Sequence, residues 1–149
     1  MSGAAPQSPR EALIAALVAR LKADESVQAL APRDVDGVKV YDGVPSKKTP
    51  AYVQIGPVNF TIEFDPGGGC GIVLLARFRI FAVTVDFGRH AAGALGFACF
   101  QSLHEHQLTL ADPYVSSRAI AYRQDGDVID PSEPSAVFYD FEAPVGWPT

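Results

Sequence analysis

The first hydrophobic pattern along the chain is typical of an amphipathic helix. Ser8-Pro9-Arg10-Glu11 has a capping serine, a proline suited to the first helical position and a glutamate placed to close a capping box. The apolar residues that follow recur at one-then-three spacing and share one helical face, namely Leu13, Ile14, Leu17, Val18 and Leu21. A second short helix is predicted over residues 25–30, because Pro32 then stops it.

From Val38 the period changes to two, which predicts β-strands. Apolar and polar residues alternate over 38–41, 51–55 and 58–64, and Gly56-Pro57 between the last two segments predicts a kink or bulge. The segment 72–86 is rich in β-branched and aromatic residues and predicts one long strand. A strand of that length is expected to project beyond a small domain and to contact a neighbouring molecule.

The last part of the chain returns to helical spacing and then to strands. A helix is predicted over 88–106, followed by strands over 114–123 and 136–145 that are joined by a polar loop at 124–135. The order is helix, three or four strands, helix, two strands. It predicts an α+β domain, residues 1–149, in which two helices pack on one face of a mostly antiparallel sheet. Residues 1–8 and 146–149 are expected to be tails.

Composition narrows the class of protein. The chain has 149 residues, 48% of them hydrophobic and 19% charged, which favours one ordered domain over a disordered chain. The net charge of −5 argues against a dedicated nucleic-acid binder. Two cysteines allow at most one disulfide and indicate a reducing compartment. No signal-peptide pattern and no run of 18 apolar residues occurs, so neither secretion by that route nor membrane spanning is expected.

Candidate catalytic and metal-binding motifs have simpler explanations. The histidines of His104-Glu105-His106 are two positions apart and would point to opposite sides of a helix, so helix-end histidines are expected. Asp125, Asp127 and Asp130 lack calcium-loop spacing and indicate a solvated turn. The glycines of 67–71 are not followed by the Lys-Ser/Thr of a phosphate-binding loop, and a flexible hairpin loop is expected. No enzyme activity, metal or cofactor is implied.

Two pairs of cations are candidates for intermolecular contacts. Lys47 and Lys48 form either a solubilising loop or an electropositive tip, whose charge a ring would multiply by its subunit number. Arg77 and Arg79 lie at i and i+2 and share one strand face. They either flank the core on its solvated side or meet carboxylates of an adjacent subunit.

One region of the sequence resembles a known family. The segment Val40-Tyr41-Asp42-Gly43-Val44-Pro45, followed after a polar gap by Pro50-Ala51-Tyr52-Val53-Gln54-Ile55-Gly56, resembles the tail terminator (tail completion) proteins of long-tailed phages and gene transfer agents. The helix end Val27-Gln28-Ala29-Leu30 precedes it, and the order of elements over 11–143 also fits. The loops at 67–71 and 124–135 depart from the family pattern.

The resemblance implies a structural virion protein at the head–tail junction. Family members assemble as homo-oligomeric rings, typically hexameric, on the head-proximal end of the tail tube. There the ring stops polymerisation of the tail tube protein and offers a surface to a neck or head completion (stopper) protein. DNA passes through such a ring without sequence-specific binding.

On this interpretation, the candidate interface residues fall into three groups. The loop residues expected to reach a partner ring are Lys47, Lys48, Asp65, Gly67, Gly68 and Gly69. Arg77 and Arg79 are expected near subunit contacts, and Asp125 and Asp127 are further candidates. Two alternatives stay open. One is a neck or head–tail joining protein of the same particle, and the other is an α+β small-molecule-binding domain or enzyme with a pocket between helices and sheet.

Overall fold

The computed structural model describes residues 7–31, 33–34, 37–42, 51–64, 71–84, 89–128 and 136–147. Six of the predicted interface residues lie outside these ranges, namely Lys47, Lys48, Asp65, Gly67, Gly68 and Gly69. Cys70 and Asp130 lie outside them too. The described residues include Arg77, Arg79, Asp125 and Asp127.

Three helices occur in the described chain: α1 (Pro9–Ala23), α2 (Glu25–Leu30) and α3 (Arg89–Leu103). The predicted start of α1 is confirmed, because the Ser8 hydroxyl accepts a hydrogen bond from the Glu11 amide at 3.2 Å. Asp24 ends α1 and begins α2, and its carboxylate accepts from two amides of the new helix. One aspartate thus caps α2 directly after α1.

The strands form a five-stranded sheet and a separate two-stranded ribbon. The ribbon pairs β1 (Arg33–Asp34) with β2 (Gly37–Val38). The sheet has the order β3-β4-β5-β7-β6, and only the β3–β4 pair is parallel. Its strands are β3 (Val40–Asp42), β4 (Tyr52–Phe64), β5 (Ile72–Val83), β6 (Ala121–Val128) and β7 (Ala136–Trp147). The predicted α+β class with a mostly antiparallel sheet is confirmed.

Both long helices cover the same face of the sheet, as predicted. Helix α1 packs along β3 and β4, and α3 packs along β5 and β7. Alternate residues of the central strands point into this layer, so Ile55, Ile80 and Phe141 are at most 1% exposed. Leu13 and Leu17 of α1 are fully buried against them. The core therefore lies between the two long helices and one face of the sheet.

The interruption predicted at Gly56-Pro57 is a bulge within one continuous strand. Ile55 pairs with Ile80 and Val58 pairs with Phe78, so β4 has one residue more than β5 between these pairs. A Cβ on Gly56 would lie 2.7 Å from the Phe81 ring, which explains the glycine. The bulge lets the alternating core residues continue on both sides of it.

The prediction for the last third of the chain is partly wrong. Strand β6 covers Ala121–Val128 instead of 114–123, so Asp125 and Asp127 belong to a strand and not to a loop. Residues 114–120 form only a bridge between Val115 and Gly146. Because β6 lies at the sheet edge, most of its side chains are solvated and give no alternating apolar signal.

Candidate assembly surfaces

The face of the sheet opposite the helices is polar. Pairing aligns Arg77 of β5 with Glu142 of β7 and Arg79 with Asp140, and these four residues alternate with the buried residues of the same strands. No helix of the described chain packs on this side. We call this surface the open face.

Arg79 and Asp140 form its best-defined contact. Arg79 Nε lies 2.7 Å from Asp140 Oδ1, and Nη2 lies 3.0 Å from Oδ2, which is the two-pronged geometry that suits a guanidinium. The guanidinium carbon also lies 4.0 Å from the centre of the Phe138 ring. Gln124 Nε2 donates to Asp140 Oδ2 at 2.8 Å. The hydrogen bonds from Arg79 hold the pKa of Asp140 below its ordinary value.

Further ion pairs extend this pattern. Glu142 lies between two arginines, 3.5 Å from Arg77 Nε and 2.8 Å from Arg123 Nη1. Arg118 pairs with Glu63 of β4, and this contact holds the pKa of Glu63 below its ordinary value. Each of these four arginines on and around the open face therefore contacts a carboxylate of the same chain, and two of them share Glu142.

A shallow depression of about 390 Å³ lies on the open face. Its polar lining residues are Asn59, Arg77, Arg79, Arg123, Gln124 and Asp140. Five of these six polar groups already bond to other side chains of the chain, whereas a binding site for a small molecule needs groups that converge on the ligand. The alternative of a small-molecule-binding domain needs a pocket between the helices and the sheet. That layer is packed by apolar side chains.

The structure brings some predicted site residues together and separates others. Arg77 and Arg79 lie on the solvated side of the sheet, and they meet carboxylates of their own chain. Asp125 and Asp127 face the helix side, because they pair with Tyr139 and Val137, whose own β5 partners are buried core residues. The two pairs therefore belong to opposite faces.

An aromatic cluster beside β6 was missed in the sequence. The Phe100 ring lies 5.8 Å from Phe97, 5.3 Å from Tyr122 and 4.9 Å from His104. Phe97 is 50% exposed and Tyr122 is 38% exposed, although both are large and apolar. The Tyr122 hydroxyl donates to Asp125, which raises the pKa of Tyr122. Phe97 and Phe100 are apolar residues of the predicted helix, but the sequence does not show that Phe97 is exposed beside β6.

The sheet edges were also missed. Strand β3 pairs only with residues 53–55 of β4, so no strand of the described chain lies beside residues 58–64. Strand β6 likewise has no described neighbour on its outer side. Ile62 on the β4 edge is 68% exposed. Alternation in sequence identifies a strand but not its place in a sheet.

Cys99 and His106 lie in surroundings that shift their pKa values. Cys99 is buried in α3, and burial raises its pKa to about 12. Burial and the nearby Arg20 lower the pKa of His106. The described residues hold no group of three or more His, Cys, Asp or Glu side chains that could bind a metal ion. None of the described helices combines the length and apolarity needed to cross a membrane.

Comparison with known proteins decides the family. The family model described as tail completion protein gp17 matches residues 15–146, which is nearly the whole chain. The chain belongs to the tail completion protein family. Its fold is similar to that of a chain in the virion of a native gene transfer agent particle, with a TM-score of 0.78 and 24% sequence identity. That match covers 95% of this chain and 99% of the other. No curated protein sequence matches.

Membership of the tail completion family confirms the resemblance drawn from residues 40–56 and the order of elements. It makes the chain a structural protein of a virion tail and argues against an enzyme. For a protein of this kind, the chemically relevant features are surfaces. The open face, the two sheet edges and the aromatic cluster are the surfaces that the described residues offer to other subunits.

Proposed function

We propose that this tail completion protein is a tail terminator. It forms a ring on the head-proximal end of the tail tube, ends polymerisation of the tube protein and presents a surface to the neck proteins of the head. The family match over residues 15–146 carries the proposal. The described chain supports it with exposed surfaces at opposite ends of the strand order, which a head-to-tail ring needs.

The predicted contact residues keep their roles as proposals. Arg77 and Arg79 lie near subunit contacts, where ion pairs with carboxylates of the same chain hold both side chains in place. Lys47, Lys48 and the loop at 65–71, with Asp65 and Gly67 to Gly69, reach a partner ring. DNA crosses the ring without base-specific contacts, since the arginines on and around the open face are already bound to carboxylates of the same chain.

Loss of the chain distinguishes a terminator from a neck protein. Without a terminator, the tube protein continues to polymerise, so we expect tails longer than normal that do not join heads. Without a neck protein, tails would keep their normal length and remain unattached. Electron microscopy of particles made without this chain measures both properties, and unjoined tails of normal length would contradict the terminator role.

The position and the assembly state provide a second test. We expect a gold label on this subunit to mark the junction between head and tail, and size-exclusion chromatography with multi-angle scattering to give a closed oligomer when the ring forms free of the tube. Deletion of residues 67–71 is expected to leave the fold intact and impair joining of tails to heads. Normal joining after that deletion would remove the loop from the proposed interface.

A further inference from the structure

The two outer edges of the five-stranded sheet have matching free lengths. On one side, residues 58–64 of β4 extend beyond β3, and on the other side β6 runs over Ala121–Val128. Within the described chain, neither stretch has a strand on its outer side. Unpaired backbone groups on a sheet edge favour pairing with another strand, and Ile62 adds an exposed apolar side chain to the β4 edge.

We propose that residues 58–64 of β4 pair antiparallel with β6 of a second copy, so that one sheet continues from subunit to subunit. The inference rests on the proposed ring and names the contact that closes it. The contact joins two different edges of the same chain, so every subunit uses both, which is the arrangement that builds rings rather than pairs.

Strand direction is consistent with this contact. The antiparallel pairs β4–β5, β5–β7 and β7–β6 make β4 and β6 run in opposite directions. Rotation about a ring axis moves one copy onto the next without reversing its strands relative to that axis. The β4 edge of one copy therefore meets the β6 edge of its neighbour in antiparallel orientation.

Side-chain alternation limits the register. Strand β4 turns Val58, Phe60 and Ile62 to the helix side, and β6 turns Asp125 and Asp127 to the same side. A continuous sheet must keep these residues on one face, so the register can change only in steps of two. The register with the best chemistry places Phe60 opposite Asp125 and Val58 opposite Asp127.

Charge and apolar contacts both favour that register. The Arg10 guanidinium lies 5.3 Å from the centre of the Phe60 ring and donates to the Val58 carbonyl at 3.2 Å. A cation thus already lies where the two carboxylates of β6 would arrive. The bulge in β6 at Tyr122 then brings this ring opposite Ile62, so two exposed apolar side chains cover each other.

The same register gives a stagger that closes a barrel. Across the sheet, Asp125 lies level with Ile80 of β5, whereas Phe60 lies level with Ala76, which is four residues before Ile80 in β5. Each copy contributes four columns of strands, because β3 and the incoming β6 occupy one column. The four residues of stagger per copy therefore amount to one residue per strand, which corresponds to a strand tilt of about 36°. The neighbouring registers, with two or six residues of stagger per copy, would give tilts of roughly 20° or 47°, outside the usual 35–45°.

The sense of the stagger also orients the subunit. Strands β5 and β6 run in the same direction and are linked through α3, a connection that is right-handed in nearly all proteins. This connection fixes the direction of the strand order when the sheet is viewed from the helix side. With that order, the stagger tilts the strands in the right-handed sense found in closed barrels only if the helices lie outside the barrel. The open face, with Arg79 paired to Asp140, then lines the channel.

Cysteine cross-linking in assembled particles tests the contact. The register places Thr61 opposite Gln124 on the open face, and both side chains are exposed. We expect Thr61→Cys with Gln124→Cys, in a chain carrying Cys70→Ser, to form covalent dimers, trimers and larger species on oxidation. The matched control is Thr61→Cys with Asp125→Cys, because residue 125 points to the other face of the sheet. This variant is expected to stay monomeric under the same treatment.

The outcomes separate this contact from the proposed function. Joined particles that give no cross-link, or dimers alone, overturn the edge pairing and leave the terminator role standing. A chain absent from the head–tail junction overturns the terminator role. If the first pair of cysteines prevents assembly, Val58→Cys with Asp127→Cys tests the same register on the helix side, where multimers are again expected.

A charged edge gives an independent readout. Ile62→Lys places an ammonium on the β4 edge at a side chain that is 68% exposed, so the fold should be retained. We expect loss of the ring and of joined particles with unchanged thermal unfolding of the subunit. Leu30→Lys, at an exposed leucine on α2, is the control and should retain joining. Normal joining with Ile62→Lys would contradict the proposed contact.

Discussion

The two faces of the sheet are built from the same strands but have different roles. On the helix side, Ile80 and Phe141 are almost fully buried in an apolar layer. On the open face, their sequence neighbours Arg79 and Asp140 remain partly exposed and are paired. Because burial of apolar area supplies most of the folding free energy, the helix side should determine stability. Side chains of the open face can then be changed to suit contacts in the assembled particle with little loss of folding stability.

Strand β7 carries two phenylalanines that lie on opposite faces of the sheet, and their truncation should have the most different effects on stability. Phe141→Ala removes a fully buried ring that stacks on Phe78, and we expect a loss of about 3–5 kcal/mol in the free energy of unfolding. Phe138→Ala removes a half-buried ring of the open face and should cost about 1 kcal/mol. Urea denaturation measures both. Equal losses would show that the two faces stabilise the fold alike.

Two glycines of α3 differ in how closely they approach the sheet. A Cβ at Gly96 would lie 2.5 Å from Val137 Cγ2, so Gly96→Ala forces helix and sheet apart and should cost about 1–3 kcal/mol. A Cβ at Gly93 meets no atom within 4 Å, so Gly93→Ala should stabilise by about 0.5–1 kcal/mol through higher helix propensity. Thermal unfolding of the two variants should shift in opposite directions, and a shared direction would contradict the close packing at Gly96.

On the open face, Asp140→Asn should have a smaller and pH-dependent effect. Arg79 holds the pKa of the folded Asp140 below its ordinary value, so the pair stabilises above that value and is lost as the pH falls through the folded pKa. We expect a loss of about 1 kcal/mol at pH 7, because Arg79 is partly exposed and solvent weakens the pair. The difference from the unchanged chain should shrink below about pH 4. A difference that does not change with pH would rule out the ion pair as its cause.

The smallest effect is expected at the pair between Arg118 and Glu63. Arg118 is 53% exposed, and exposed ion pairs contribute little. Glu63→Gln should therefore lower the free energy of unfolding by about 0.5 kcal/mol or less, and high salt should abolish the difference. A loss above about 1 kcal/mol would show that the edge of the open face contributes to the fold as the helix side does.

The sequence predicts best where one face of an element is buried. The α1 stripe from Leu13 to Leu21 and the alternation over 58–64 identify their elements, and Gly56-Pro57 marks its bulge correctly. Burial on one side imposes a period that is visible without a structure. The class of fold and its layers follow from such elements.

The prediction fails where both sides of an element contact water. Strand β6 is specified by backbone pairing to β7, and its polar residues at Asp125 and Asp127 have the composition of a turn. The ion-pair partners of Arg77 and Arg79 depend on the register between β5 and β7. Each arginine is more than 60 positions away from its partner in sequence. The exposed edge at Ile62 depends on the order of strands. These features arise from tertiary arrangement alone.

The buried thiol of Cys99 has a practical consequence. Its pKa of about 12 keeps it protonated at neutral pH, and its burial shields it from alkylating reagents and mild oxidants. In a chain carrying Cys70→Ser, surface cysteines can therefore be introduced and labelled spectroscopically without disturbing the interior. A particle built from such subunits would allow distances between neighbouring copies to be read directly during head attachment.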